Sequence, residues 1–389
     1  MKPASRLITT LGWTCLALSA CATDEVEPTL EATEASAEGT PDDAAVSGWY
    51  GSSVYVIDNV PSRNAVRRFR RRADGGLISA GTFPTGGLGS GDGLGSQGAV
   101  ILDDKARMLY VVNAGSDEIS AFEVHPFHLV LRDIVRSGGA RPISLTVHDD
   151  LLYVVNAGRD GIAGNIAGFR LVNRELVPIA SSIRPLSAAA AGPAQVQFDP
   201  AGTTLVVTEK ATNNLTTYRI NGQGAAGAPI VTPSHGQTPF GFSFDHRGTL
   251  IVSEAFGGAP NASAVSSYRL TAGVPVLVSG SVPTEQTAAC WIAIRGTRYA
   301  FATNTASGSV SGYAIDDDGT IERFSDGGVT AQVGGAPTDL DFTHDGRVLY
   351  VLDSSGDAID ILRARADGSL ETGGRLTGLP ATSVGIAAE

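Results

Sequence analysis

The sequence predicts an all-β protein in which seven four-stranded blades form a β-propeller. Three observations support this prediction: an apolar strand pattern recurs seven times, its copies are spaced by about the length of one blade, and the chain ends in an additional strand pattern. The composition agrees, because 48 glycines and 42% hydrophobic residues are typical of many short strands joined by tight turns around a sizeable core.

The recurring pattern is a short apolar run that ends in a polar residue. From Tyr55 in the first copy to Tyr350 in the last is 295 residues over six intervals, a mean of about 49, which matches a four-stranded propeller blade. The seven copies are Val54–Asp58, Leu109–Asn113, Leu152–Asn156, Leu205–Glu209, Leu250–Glu254, Ala300–Asn304 and Leu349–Asp353.

Each copy is the second of four strands, which we name A to D from the axis outward. The A strands often begin at a proline, as at Pro142 and Pro337, but no A strand precedes the first copy. The chain instead ends with an A-type strand at Pro380–Ile386. We expect this C-terminal strand to join the first blade and close the ring, which removes an exposed sheet edge. An eight-bladed ring with one degenerate copy is the alternative, but the intervals leave no room for it.

The N-terminus predicts export and a lipid anchor. Lys2 and Arg6 precede an apolar run, Leu7–Ala20, that is too short to be a permanent membrane span. The run ends in Leu-Ser-Ala-Cys at Cys21, which resembles the lipobox of bacterial lipoproteins. That resemblance implies a signal peptide over residues 1–20 and acylation of Cys21, with the protein held in the cell envelope, at the outer membrane or cell surface.

Residues 21–48 are predicted to be a disordered tether, and residues 49–389 the propeller. From Ala22 to Gly48 the chain carries eight acidic residues and no basic one, so this segment cannot bury enough apolar surface to order itself. A formal net charge of -12 and the lack of a basic stripe exclude nucleic acid as a partner. We expect a monomer that meets the membrane only through its lipid anchor and binds a small polar ligand or a glycan.

The Tyr-Val-Val-Asn copies at Tyr110–Asn113 and Tyr153–Asn156 resemble the repeats of the lactonase-like propeller family. This family includes 6-phosphogluconolactonases and carboxymuconate cyclases, and the likeness spans about residues 54–386. It implies a site at the channel mouth for a small sugar-type or carboxylate-type lactone, which the protein would hydrolyse or cyclise. The resemblance is strong for the fold and weaker for the chemistry.

The last residues of the B strands form a predicted polar ring at the channel mouth. Asn and Asp at these positions are also typical caps of a strand, whereas Glu is a poor turn former. Glu209 and Glu254 are therefore the candidate catalytic carboxylates, and we expect both to converge with Asp353. A ring of oxygen ligands would also suit a divalent cation such as Ca²⁺. The other candidate ligand-binding residues of the ring are Asp58, Asn113, Asn156, Asn304 and Asp353.

His235 is the candidate general acid or base, because it is the one histidine in a D–A connection. Two lengthened B–C connections, residues 160–168 and 256–267, are candidates for the rim of the binding face. The remaining five histidines fall in turns of the opposite face: His125, His128, His148, His246 and His344. Residues 86–98 resemble a long, flexible D–A connection.

A motif of the lactonase-like family is present only in part. The family often has Gly-Pro-Arg-His at the start of an A strand and Asn-Glu-Leu at the end of the following B strand. This chain has Gly-Pro-Ala-Gln at 192–195 and Thr-Glu-Lys at 208–210. Glu209 therefore matches, and Gln195 takes the position of the histidine as a candidate ligand-binding residue. The missing positive charge could come from Arg141, Arg159 or Lys210.

Three classes of function follow from these residues. The first is a lactonase-like propeller, catalytic through Glu209 with His235 or Glu254 as partner. The second is a surface-tethered module that binds a glycan or a protein without catalysis. The third is a metal-dependent hydrolase, whose metal ligands the sequence does not specify. The absent Arg-His pair counts against the first, and only the polar ring supports the third.

Overall fold

The structure is a computed structural model, and it describes residues 53–389. The signal peptide, the acylated Cys21 and the acidic tether predicted from the sequence lie outside the described residues. Among those that are described, no helix has the length and apolar character needed to cross a membrane.

The described chain folds into seven antiparallel sheets, which are the blades. The strands of blades 1 to 3 are β1 (Ser53–Ile57), β2 (Ala65–Arg71), β3 (Leu77–Pro84), β4 (Val100–Asp103), β5 (Met108–Asn113), β6 (Glu118–Val124), β7 (Leu129–Arg136), β8 (Pro142–His148), β9 (Leu151–Asn156), β10 (Asn165–Val172), β11 (Glu175–Pro178) and β12 (Arg184–Pro185). Here β4 to β7 form blade 2 and β8 to β12 form blade 3, while β1 to β3 belong to blade 1.

The remaining blades follow in chain order. Their strands are β13 (Pro193–Phe198), β14 (Thr204–Glu209), β15 (Asn214–Arg219), β16 (Ile230–Pro233), β17 (Pro239–Phe244), β18 (Thr249–Glu254), β19 (Ala264–Thr271), β20 (Val274–Pro283), β21 (Ala289–Arg295), β22 (Tyr299–Asn304), β23 (Ser309–Ile315), β24 (Ile321–Arg323), β25 (Ala331–Gln332), β26 (Pro337–Phe342), β27 (Val348–Asp353), β28 (Ala358–Ala364), β29 (Leu370–Thr377) and β30 (Val384–Ala388). Blades 4, 5 and 7 have four strands each, and β25 adds a short piece to blade 6. The described residues also include two short 3₁₀ helices, Phe256–Gly258 and Asp326–Gly328.

The C-terminal strand closes the ring, as the sequence predicts. Strand β30 pairs antiparallel with β1, with Val54 opposite Ala388 and Val56 opposite Ile386. The ends are also joined by hydrogen bonds, since the backbone N–H of Glu389 donates to Ser53 at 3.0 Å. Blade 1 therefore combines the N-terminal and C-terminal strands of the described chain, and the prediction of seven blades is confirmed.

The B strands are buried along all or nearly all of their length, and only the first residues of β9 and β22 are partly exposed. Blades 2, 4, 5 and 7 place six consecutive buried residues in each B strand. Neighbouring blades cover both faces of these strands, which explains why the sequence shows continuous apolar runs rather than alternation. Tyrosines fill much of the space between blades, and Tyr55, Tyr110, Tyr153 and Tyr350 have no exposed surface.

The topology defines two faces of the propeller. The loop face carries the B–C and D–A connections, and the turn face carries the A–B and C–D connections. The A strands surround an axial cavity of about 350 Å³, whose lining includes Gln195, Phe242, Ile292 and Asp339.

Candidate functional site

The polar residues that end the B strands are buried within the blades. Their exposed fractions range from 0% for Asn113, Glu209 and Asp353 to 7% for Asp58. None of the seven is among the described residues that line the axial cavity. Each instead bonds to groups beside the end of its own strand, so this geometry favours strand capping as their main role.

Glu209 is enclosed by hydroxyl and backbone donors. The Ser187 N–H donates to Oε1 at 2.9 Å, and the Thr212 hydroxyl donates to Oε2 at 2.8 Å. The Ser187 hydroxyl donates to Oε2 as well. These bonds fix the D–A connection before blade 4 against the end of β14. A catalytic role of Glu209 stays a prediction.

Glu254 and His235 are brought together through Ser281. The Ser281 hydroxyl lies 2.6 Å from Glu254 Oε2 and 2.9 Å from His235 Nδ1. The Gly236 N–H and the Ser266 hydroxyl donate to Oε1 of the same carboxylate, at 2.8 and 2.5 Å. His235 is exposed, whereas Glu254 is fully buried. The structure thus connects a buried carboxylate to an exposed imidazole on the loop face.

The Asn and Asp members of the ring bond locally too. Asn113 donates to the Ser120 hydroxyl at 2.7 Å, and Asn304 donates to Ser311 at 2.8 Å. Asn156 donates to Asn165 Oδ1 at 2.8 Å, while Asp58 pairs with Arg67 at 2.5 Å. Within residues 53–389 no group of three or more His, Cys, Asp or Glu side chains is arranged to hold a metal ion.

The surroundings of Asp353 favour the ionised form of its carboxyl group. Burial would raise its pKa, but hydrogen bonds from the Ala336 and Gly356 N–H groups and from Arg375 lower the pKa below the usual range of aspartate. The Arg375 guanidinium bridges this carboxylate to Asp360. Asp353 is therefore occupied by internal partners.

The other five histidines lie in connections of the turn face, as their positions in the sequence indicate. His148, His246 and His344 lie at A–B turns, and the rings of His125 and His128 stack at 4.7 Å in a C–D turn.

Residues 86–98 cross the axis at the loop face. Gln97, just before blade 2, donates from its backbone N–H to Ala194 in blade 4 at 3.1 Å. Its side chain exchanges two hydrogen bonds with Ile292 in blade 6, at 2.7 and 3.1 Å. The Trp291 indole donates to the Ser96 carbonyl at 2.8 Å. This segment, hereafter the plug, is tied to the far side of the ring and bridges the channel mouth.

Gln195 joins the A strands of blades 4 and 5. Its side chain accepts from the Phe242 N–H at 2.7 Å and donates to the Phe242 carbonyl at 2.9 Å. Gln195 thus lines the axial cavity and joins neighbouring A strands, and its role as a ligand-binding residue stays a prediction.

Lys210 is the most unusual cation of the loop face. Its ammonium group donates to the Gly95 carbonyl of the plug at 2.5 Å and lies 4.5 Å from the centre of the Phe240 ring. Burial lowers the pKa of Lys210 to about 8, and the positive charge of Arg141 acts in the same direction to a smaller extent. The two cations therefore repel each other at the channel mouth.

No carboxylate in the described part of the chain forms an ion pair with Lys210 or with the Arg141 guanidinium. The nearby Asp117 accepts a hydrogen bond from the Arg141 backbone N–H at 2.7 Å, but its other oxygen pairs with Arg159 at 2.5 Å. Arg159 is thus neutralised, while Lys210 and Arg141 lack a counter-charge. An anion between them would relieve their repulsion.

This pair is only partly predictable from the sequence. Lys210 is one of two lysines between residues 53 and 389, and it follows the last residue of a B strand. Its contact with the plug joins residues 115 positions apart, so no local pattern reveals it.

The comparisons with known proteins agree on the architecture. No protein-family model matches the chain, and no curated protein matches it either. Among solved structures, PpgL, the periplasmic gluconolactonase of Pseudomonas aeruginosa, is 15% identical with a TM-score of 0.67, over 87% of this chain and 100% of that one. A candidate 6-phosphogluconolactonase from Bacteroides fragilis is 17% identical with a TM-score of 0.66, over 90% and 99%.

A protein of unknown function from Desulfotomaculum acetoxidans is similar to the same degree. It is 11% identical with a TM-score of 0.64, over 87% of this chain and 98% of that one. At such identities a structural likeness establishes the fold and leaves the chemistry open. The described chain is a seven-bladed β-propeller of the architecture found in 6-phosphogluconolactonase-like proteins.

Proposed function

We propose that the propeller binds a small anionic ligand of the lactone or sugar-acid class at the loop face, between Lys210 and Arg141. The observation that carries this proposal is a pair of cations beside the channel mouth that have no carboxylate partner among the described residues. A ligand carboxylate or phosphate would supply the missing negative charge. The buried Phe240 ring lies beside the Lys210 ammonium group, and the buried Trp291 ring packs against it with the ring centres 4.9 Å apart.

Two solved relatives support the choice of ligand class. One is described as a gluconolactonase and another as a candidate 6-phosphogluconolactonase. The positive pair of this chain favours the charged members of that class, because a neutral lactone would leave the repulsion between Lys210 and Arg141 in place.

The ligand-binding test is a calorimetric titration of the full chain with 6-phosphogluconate. Lys210→Met removes the charge and keeps most of the side-chain volume, so we expect the affinity to fall about tenfold or more, as for the loss of a charge-assisted hydrogen bond. The matched control is Lys105→Met, since Lys105 is exposed on the turn face and pairs with Asp149 at 2.8 Å. Equal affinity in the wild type and in Lys210→Met would contradict the proposal.

The same titration has a predictable pH dependence. Because the pKa of Lys210 is lowered to about 8, the ammonium group loses its proton as the pH rises through that value. Affinity for the anion should therefore fall between about pH 7 and 9 in the wild type. Lys210→Arg should keep its affinity over this range, because an arginine stays charged.

Hydrolysis of a bound lactone would require further groups on the loop face. For lactone opening, water adds to the ring carbonyl, the ring C–O bond breaks, and the alkoxide oxygen takes up a proton. We propose His235, held by Ser281 and Glu254, as the group that moves this proton. A pH-stat assay should then show that His235→Gln slows hydrolysis of the phosphorylated lactone while the affinity for 6-phosphogluconate is unchanged.

The alternative is a binding module without catalysis. The complete enclosure of Glu209 by Ser187 and Thr212 favours it, because a carboxylate with these partners is poorly placed to take a proton from a bound ligand. Binding without hydrolysis above the spontaneous rate would support this alternative and exclude the enzymatic function.

A further inference from the structure

The turn face carries a cleft of about 550 Å³ whose lining is rich in arginine. It lies where blades 6, 7 and 1 meet, far along the strands from the loop face. We call it the Arg cleft and define it by five side chains: Arg71, Arg295, Arg347, Arg363 and Arg365. Three carboxylates share the lining, those of Asp74, Asp345 and Glu371, so its formal charge is two positive charges.

The Arg cleft is positively charged, whereas residues 53–389 as a whole are negatively charged. Residues 53–389 contain 26 basic and 32 acidic residues, because two of the 28 basic and eight of the 40 acidic residues lie before residue 53. The described part therefore has a formal charge of -6, that is 26 minus 32. In a chain with more acidic than basic residues, we would not expect five guanidinium groups to gather around one cleft by chance.

Each of the three carboxylates of the cleft already has a partner inside the protein. Glu371 pairs with Arg365 at 2.5 Å, and Asp345 lies 3.5 Å from Arg71 while it also accepts from the Thr343 hydroxyl at 2.6 Å. Asp74 accepts from the Gly76 N–H at 2.8 Å within its own turn. The remaining three arginines of the cleft have no carboxylate partner in the described structure.

Two of those three arginines are held rigidly by backbone carbonyls. Arg295 donates to Gly346 at 2.6 Å and to Arg365 at 2.5 Å. Arg363 donates twice to Asp74, at 3.1 and 2.9 Å. A guanidinium has five N–H donors, so each of the two retains three for a ligand. Neutral carbonyls position these groups without cancelling their charge.

Arg347 is the third and the least constrained. It is exposed, and no described residue accepts a hydrogen bond from its guanidinium. Its backbone N–H donates to Asp345 at 3.0 Å, which fixes the A–B turn of blade 7 and leaves the side chain available.

We propose that the Arg cleft binds a phosphate-bearing ligand, with Arg295 and Arg363 as fixed contacts and Arg347 as the group that closes over it. A phosphate group carries more than one negative charge and three acceptor oxygens, which suits three guanidinium groups better than a single carboxylate does. The chemistry is shared by soluble phosphates and by phospholipid headgroups. This site is separate from the proposed site at Lys210, and neither depends on the other.

The first experiment is a calorimetric titration of the full chain with inorganic pyrophosphate in the presence of EDTA. Arg347→Gln breaks no described side-chain bond, so we expect the fold to be kept and the affinity to fall about tenfold. Arg63→Gln is the matched control, since Arg63 is an exposed arginine in a B–C connection on the loop face. Lys210→Met should leave pyrophosphate binding at the Arg cleft unchanged.

The second experiment identifies the source of the phosphate. Vesicles with and without phosphatidylglycerol in phosphatidylcholine are sedimented with the wild type and with Arg347→Gln. Retention that requires both the anionic lipid and Arg347, and that pyrophosphate competes away, would assign a headgroup. Pyrophosphate binding without such retention would assign a soluble ligand. The proposal is overturned if pyrophosphate binds no better than chloride at equal ionic strength, or binds Arg347→Gln as it binds the wild type.

Discussion

At the scale of single residues, the polar groups of the loop face divide into carboxylates with several internal hydrogen bonds and cations without an internal carboxylate partner. Glu209, Glu254 and Asp353 end B strands and accept hydrogen bonds from neighbouring connections. Within residues 53–389, neither Lys210 nor the Arg141 guanidinium forms an ion pair with a carboxylate. We expect the first group to stabilise the blades, and we propose that the second recognises a ligand.

Glu209→Gln tests this division. An amide cannot accept from all three donors around the carboxylate, so we expect the free energy of unfolding to fall by about 1–3 kcal/mol. Chemical denaturation measures this loss, and Glu322→Gln is the control, because Glu322 is exposed on blade 6. The sequence-based role of Glu209 in catalysis or binding would require a loss of ligand affinity as well. Unchanged stability with lower affinity would restore that role and argue against capping.

At the scale of strands, β30 completes the first blade. Its residues Ile386, Ala387 and Ala388 are at least 95% buried, although they lie at the end of the chain. Their partner β1 would otherwise expose an unpaired edge along the channel. The stability of the ring therefore depends on the last ten residues.

Ile386→Ala should lower the free energy of unfolding by about 2–4 kcal/mol, because it leaves a cavity in a buried closing strand. Val177→Ala is the control: its side chain is 46% exposed on a D strand, and we expect a change below about 0.5 kcal/mol. Equal effects of the two substitutions would contradict the importance of the closing strand.

Asp341, in the A strand β26 of blade 7, should make the free energy of unfolding depend on pH. Burial raises the pKa of Asp341 to about 7, while an unfolded aspartate titrates near 4. Between these values the folded chain holds the proton more tightly than the unfolded chain. Stability should therefore fall as the pH rises from about 4 to 7, and Asp341→Asn should weaken this dependence by on the order of 2 kcal/mol. Unfolding curves at pH 5 and pH 8 measure the difference.

At the scale of the whole molecule, the sequence predicts the fold well. Repetition of the B-strand pattern reveals the number of blades, and the unpaired strand at Pro380–Ile386 reveals the closure. These are periodic or terminal features that one chain displays directly. The predicted export signal and the anchor at Cys21 stay predictions, which palmitate labelling of the wild type and of Cys21→Ser would test.

The candidate site is harder to predict, because it depends on contacts between distant segments. The plug bridges blades 2, 4 and 6, and the bond from Lys210 to Gly95 is part of that bridge. The polar ring is visible in the sequence, but side-chain direction is not. Alternation at the strand end cannot distinguish a residue that faces the channel from one that bonds inside its blade.

The most direct test of the proposed function is a crystal structure of the full chain with 6-phosphogluconate. We expect electron density for the ligand on the loop face, with its anionic group in contact with Lys210 and Arg141 and its carbon chain near Phe240. Because we propose that the Arg cleft also binds phosphate, additional density in the Arg cleft would be compatible with this assignment. Density at the Arg cleft alone, with Lys210 and Arg141 unoccupied at saturating ligand, would contradict the assignment of the binding face.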